Sequence, residues 1–244
     1  MISTNNPFDE RAAEYDTFRT GYSRTLYDAL VELGFAPGWE VLDVACGTGL
    51  SSEPLTQRGM SVTGVDISEP MLEKARARMP QAEFVLGAAE SLPFGRAEFH
   101  AAICAQAIHW MDHEKALAEM ARVVRPGGRV AVWWKLLVAN EPLRALRAAA
   151  AEAVGTDLPP DIMNTSFRAF YKHPFAERWL RVIPHVVISS TDRWMGYERT
   201  RARLDHHGDR AQDYLAELER RMREVDNGRT FRVNYTQFLY VGQV

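Results

Sequence analysis

Gly47 and Gly49 stand two residues apart in DVACGTGLSS, directly after an apolar run. Glycine permits tight turns and lets backbone N–H groups come close to a ligand. Seventeen residues beyond Gly49, Asp66 ends the run VTGVD. A carboxylate there can accept hydrogen bonds from both hydroxyls of a ribose; the structural alternative is a helix N-terminal acid stabilised by the dipole. Two phosphate chemistries fit poorly. A dinucleotide turn wants a third glycine, and Ser52 holds that place; a phosphate-wrapping loop wants Gly-Lys-Ser/Thr, which is absent. The turn and the acid together suit a nucleoside. His109, in AIHWMD, is a candidate base, because imidazole titrates near neutral pH and can take a proton from an O–H or N–H. Its alternative is packing alone. His109 and His113 flank Asp112, but the zincin glutamate is missing and Asp112 reads as a helix cap. DHH at 205–207 reads as a helix end, so no metal site is expected.

These residues need elements to position them. WEVLDVAC (39–46) is apolar and β-branched and reads as a buried strand. LSSEPLTQRG (50–59) reads as a helix, MSVTGVD (60–66) as a second strand, and EPMLEKARARM as a helix capped by Ser68 with Pro70 in its first turn. AEFVLGAA (82–89), FHAAICAQ (99–106) and RVAVWW (129–134) read as further strands, with the helix HEKALAEMARVV and the turn RPGG before the last. Strands alternating with helices predict a parallel sheet covered on both faces, with strand C-terminal ends gathered on one edge where ligands bind. Beyond 136, EPLRALRAAAAEAVG, YERTRARL and AQDYLAELERRMREV read as helices. RVIPHVVISS and FRVNYTQFLYVG read as late strands that extend the sheet as an antiparallel pair.

The 244 residues, 46% hydrophobic and 25% charged, make a globular composition with a sizeable core. A net charge of −3 gives no global attraction to nucleic acid or anionic membrane, and RTRARLDHHGDR reads as a solvated helix face. No apolar run is long enough to span a bilayer, and the N-terminus does not read as a secretory signal. Cys46 and Cys104 read as buried thiols of a reducing, cytoplasmic compartment. Tyr214, Leu215, Leu218, Met222 and Val225 form a helical packing stripe, which leaves monomer or homodimer open.

Several of these segments, taken in order over residues 8–134, resemble the class I S-adenosylmethionine-dependent methyltransferases. VLDVACGTG is similar to the first motif of that family, VTGVDISEPML to the second, FVLGAAESLPF to the third, and EMARVVRPGGRVAV to its helix, turn and fifth strand. The resemblance implies an α/β fold with a doubly wound, mostly parallel seven-stranded sheet, an antiparallel last strand and a helical acceptor cap. It implies a single domain, with an N-terminal helical lid (1–38), a cofactor core (39–135), acceptor-side insertions with a late strand (136–225) and a final strand (230–244). It implies S-adenosylmethionine as cofactor, with Asp43, Ala45, Gly47 and Gly49 around its methionine part. Asp66 would hold the ribose, Ile67 would lie beside adenine, and Ala89 would offer a backbone donor to the adenine edge. Ala88 stands where relatives often carry Asp. Met71, Glu90 and Gln106 complete the cofactor set. FDERAAEYDTFRTGY, AQAIHWMD and the C-terminal end are also similar to the small-molecule branch that includes trans-aconitate methyltransferases. There the N-terminal segment closes over the cofactor, so Tyr15 and Arg19 would reach it, Arg19 pairing with its carboxylate.

The acceptor is then expected to be a small molecule. Tyr22, Trp110, Trp133, Trp134, Trp194 and Tyr197 are the aromatic candidates for its pocket, suited to a planar heterocycle or aromatic metabolite methylated on nitrogen or oxygen. Trp133 and Trp134 alternate on a strand, so only one can face a given side. The alternative acceptor, a small organic acid methylated at its carboxylate, needs arginine, for which Arg168, Arg193 and Arg199 are available. A nicotinamide oxidoreductase or a non-catalytic cofactor-binding protein would share the first strand and turn. The missing third glycine argues against the former.

Overall fold

A computed structural model of the chain describes residues 9, 12–137, 141–157 and 163–244. Residues 8, 10 and 11 of the N-terminal motif and residues 158–162 lie outside the described residues.

Five strands are parallel neighbours: β1 (Glu40–Val44), β2 (Ser61–Asp66), β3 (Glu83–Leu86), β4 (Phe99–Ala105) and β5 (Val124–Leu136). The order is β3-β2-β1-β4-β5-β7-β6, where β6 is Arg178–Ser189 and β7 is Phe231–Gln243. β7 runs antiparallel between β5 and β6. The chain winds outward from β1 to β3, then returns to the other side of β1. That reversal places a crevice beyond the C-terminal ends of β1 and β4. β6 is an edge strand, and Pro184, which has no N–H, sits in its middle, a residue that edges tolerate.

Side chains alternate along the strands, so the sheet has two cores. Leu42, Val44, Cys104, Val132 and Trp134 pack on one face with α5 (His113–Val123) and α7 (Met163–Lys172). Val41, Ile103, Ala131 and Trp133 pack on the other with α2 (Arg24–Glu32). A third cluster gathers α6 (Glu141–Ala153), α8 (Thr191–Arg199) and α9 (Ala211–Asp226) around Trp194, Tyr214 and Tyr235 above the sheet end. The expected caps form: Ser68 accepts from Met71 N at the start of α4 (Glu69–Arg78), and Asp112 from Lys115 N at the start of α5.

Three local readings change. The helix expected at 50–59 shrinks to α3 (Glu53–Thr56), because the Ser52 hydroxyl reaches Asp43 rather than capping the helix. RPGG is carried inside β5 with a register shift between Phe99 and Ala101. The stretch YERTRARL does not stay one helix. α8 stops at Arg199, and a 3-10 stretch, Ala202–Arg210, follows with a kink at Gly208 (φ 55°). α1 (Ala12–Phe18) lies across α4 and α8.

Candidate functional site

A cavity of about 360 Å³ opens at the crevice. Its floor is the turn after β1. Ala45 (φ 55°) and Gly47 (φ 55°) both take left-handed backbone there. That conformation costs a residue with a Cβ about 1–2 kcal/mol. A side chain at Gly47 would meet nothing within 4 Å, so the backbone itself faces open space. Gly49 (φ 79°) differs: an added Cβ would stand 2.8 Å from Met79 Cε, against α4. Gly47 lines the cavity, whereas Gly49 seats the turn on α4 and does not line it.

Asp43 lies under the turn, fully buried. Its Oδ2 accepts from Ser51 Oγ and Ser52 Oγ, both at 2.6 Å. Its Oδ1 is bonded to none of the described residues. Burial pushes the carboxyl up to about 7, against the pull of the two hydroxyls. Asp43 does not line the cavity; it acts through the loop that does.

Asp66, at the end of β2, lines the cavity. Its Oδ2 accepts from Gly47 N (2.8 Å) and its Oδ1 from Ser68 N (2.9 Å). One carboxylate thus ties the glycine turn to the start of α4. Burial raises it above the ordinary carboxylate value, opposed by those N–H groups. Beside it Ile67, 43% exposed, and Met71 offer an apolar wall, with Ala89 and Glu90 completing that side. Glu90 Oε1 also accepts from Asp112 N. Ala88 lies outside the lining, its carbonyl accepting from Ser91 N.

The opposite wall comes from the N-terminal segment and the cap. The Arg19 guanidinium is sandwiched between the Tyr15 and Tyr197 rings, 4.7 Å from each centroid. Nε and Nη2 donate to Thr200 Oγ1 (2.9 Å) and Thr200 O (3.0 Å), while Nη1 is bonded to none of the described residues. Tyr15, Arg19, Tyr22 and Tyr197 all line the cavity. Gln106 (φ 59°) lines it too, and its amide brackets Lys135, accepting from Lys135 N (2.8 Å) and donating to Lys135 O (3.0 Å).

The structure corrects part of the aromatic assignment. Trp110 (52% exposed), Tyr22 and Tyr197 line the cavity; Trp133, Trp134 and Trp194 are buried in the cores and do not. Both members of the Trp133–Trp134 pair are core, one on each face of the sheet. Each buried indole instead braces the wall. Trp133 meets Tyr22 edge-on at 5.5 Å, and Trp194 packs on Tyr197 at 5.1 Å. Trp134 Nε1 donates to His109 Nδ1 at 3.4 Å, and the His109 ring packs on Trp110 at 5.1 Å. His109 itself is not on the cavity wall. Arg168, Arg193 and Arg199 are exposed and also lie outside the lining.

Sequence reasoning missed Ser51, Thr20, Thr200, Arg78 and Lys135. Arg78, on α4, donates to Thr48 O (3.0 Å) in the turn, Glu53 (3.2 Å) and Asp16 (2.5 Å) on α1. Nothing local marks Arg78 or Thr200. Lys135 did carry a signal, as the lone charge in VAVWWKLLVA.

The donor set fits a charged nucleoside such as S-adenosylmethionine. A backbone turn with room above it, a strand-end carboxylate, an apolar wall and an arginine nitrogen bonded to none of the described residues meet in one cavity. Comparisons with known proteins agree. The family described as a methyltransferase domain matches residues 42–132. An uncharacterized methyltransferase of Mycobacterium tuberculosis is 36% identical over 153 residues, 63% of this chain; the match spans only 60% of that relative's length. The demethylmenaquinone methyltransferase of Paenarthrobacter aurescens is 31% identical over 188 residues, covering 71% of this chain and 74% of that one. A solved structure described as a type II methyltransferase, from Anaeromyxobacter dehalogenans, superposes with a TM-score of 0.75 at 28% identity, over 93% of this chain and 98% of the other. The glycine turn, the strand-end acid, the sheet order and these likenesses agree: the chain belongs to the class I S-adenosylmethionine-dependent methyltransferases.

Proposed function

We propose that this chain transfers the methyl group of S-adenosylmethionine to nitrogen or oxygen of a planar heterocycle or aromatic metabolite. One observation carries the reading: the cavity lined by the Gly47 turn, Asp66 and Arg19 is also lined by Tyr22, Trp110, Met111 and Tyr197. The cofactor supplies an electrophilic sulfonium methyl group. The protein's residues orient and exclude water. When the cofactor is bound, the Gly47 backbone and Asp66 would hold its nucleoside, and Arg19 would pair with its carboxylate. The aromatic wall holds a flat acceptor and lowers the local dielectric. In-line displacement needs no covalent nucleophile, and positioning alone contributes up to about 7–11 kcal/mol.

No base is assigned to His109, because its Nδ1 accepts from Trp134 and its ring braces Trp110. The relative whose name specifies demethylmenaquinone supports a ring acceptor. A malonyl-[acyl-carrier protein] O-methyltransferase of Serratia marcescens, 35% identical over 123 residues, keeps the carboxyl reading in view. That reading lacks its arginines, since Arg168, Arg193 and Arg199 lie off the cavity wall. The two free, buried thiols fit a cytoplasmic setting.

The test is methyl transfer from radiolabelled S-adenosylmethionine to a panel of ring N–H and O–H acceptors and of small carboxylic acids. Label in ring acceptors is expected. Label confined to the acids would reverse the acceptor assignment. No label in any acceptor, with the cofactor product bound, would make the chain a binding protein.

A further inference from the structure

Lys135 is buried at the C-terminal end of β5, yet its amine belongs to no ion pair among the described residues. The bonds of the amine all go to one place. Nζ donates to Thr20 O (2.5 Å), Thr20 Oγ1 (2.7 Å) and Gly21 O (2.9 Å). An ammonium has three N–H groups, and three oxygens receive them. The acceptors sit in the segment 19–22, which lies outside the helices and strands and joins α1 to α2. That segment carries Arg19 and Tyr22, two residues of the cavity wall.

We propose that Lys135 is a positioning residue for the methyl donor: its amine latches the 19–22 segment to the sheet and thereby holds Arg19 and Tyr22 over the cavity. The proposal rests on the methyltransferase reading above. The latch has a defined support. Gln106, at the end of β4, brackets the Lys135 backbone on both its N–H and C=O, so the amine projects from a fixed point. The Tyr22 and Tyr235 rings lie 5.5 and 5.0 Å from Nζ and present aromatic faces to the cation. On the far side Arg19 is held by Thr200. The segment is therefore pinned at two ends, by Thr200 at the end of α8 and by Lys135 in the sheet. Burial, and secondarily Arg19, push the Lys135 amine down to about 7.

The experiment measures S-adenosylhomocysteine binding by calorimetry, together with hydrogen exchange of the peptide covering residues 15–22. The proteins are wild type, Lys135→Met, Lys135→Arg and Thr20→Val. In Lys135→Met, affinity is expected to fall at least about ten-fold and exchange at 15–22 to speed up, while exchange at 41–52 stays as in wild type. Lys135→Arg, which keeps a cationic donor set, is expected within about three-fold of wild type. Thr20→Val removes one acceptor with little change of shape and keeps the test open where Lys135→Met does not fold; a loss of about three-fold is expected. Unchanged affinity and exchange in Lys135→Met and Thr20→Val overturn the latch. Failure of the wild type to bind S-adenosylhomocysteine would instead strike the cofactor reading.

Discussion

Two glycines of one turn do different work. Gly47 presents backbone to open space, while a Cβ at Gly49 would meet the movable end of Met79 at 2.8 Å. Gly49→Ala should lower stability by roughly 1–2 kcal/mol, from its left-handed backbone. Gly47→Ala should carry a similar backbone cost and in addition weaken cofactor binding. Melting curves and titrations of the two variants separate the roles. Asp43 gives a pH prediction. Its carboxyl titrates at about 7 when folded and near 3.8 when unfolded. Between those values the folded chain keeps a proton that the unfolded chain has released, so stability falls as pH rises through about 4 to 7. The full window is worth at most about 4 kcal/mol. Asp43→Asn should flatten that slope, read as the difference in melting temperature between pH 5 and pH 7.5.

The elements that carry the site were legible where chemistry is local. The apolar run 39–46, the two glycines and Asp66 place β1, its turn and the end of β2 from residue type alone. Both expected caps follow from Ser68 and Asp112 standing just before amphipathic runs. What could not be read was partnership across long separations. Arg19 meets Thr200 and Lys135 meets Thr20, contacts that only the folded sheet and cap create. The tryptophans show the same limit: an indole near a strand end has equal reason to enter a cavity or a core, and here three entered the core. The lid illustrates packing set by a single absent side chain. Gly196 of α8 lies so close to Phe18 that an added Cβ would stand 2.2 Å from its ring. Gly196→Ala should push α1 off α8, speeding exchange in residues 12–18 and weakening S-adenosylhomocysteine by several-fold, with the sheet unaffected.

At the scale of the whole molecule, β7 joins the cofactor half to the cap. It pairs with β5 on one side and along all of β6 on the other, and its Val233 and Tyr235 enter the cap cluster while Leu239 and Val241 enter the sheet core. Deleting residues 231–244 should remove the cooperative unfolding transition rather than merely lower it, seen as loss of a sigmoidal denaturant curve. This linkage lets one cavity collect residues far apart in the chain: Tyr15 from α1, Arg19 just after it, Asp66 from β2 and Tyr197 from α8. The central claim is that this cavity binds the methyl donor through the turn and the strand-end acid. Calorimetric titration of the wild-type chain and Asp66→Ala with S-adenosylhomocysteine tests it most directly. One site per chain is expected in the wild type, at least about ten-fold weaker in the variant. No binding to the wild type, or equal binding to both, would contradict it.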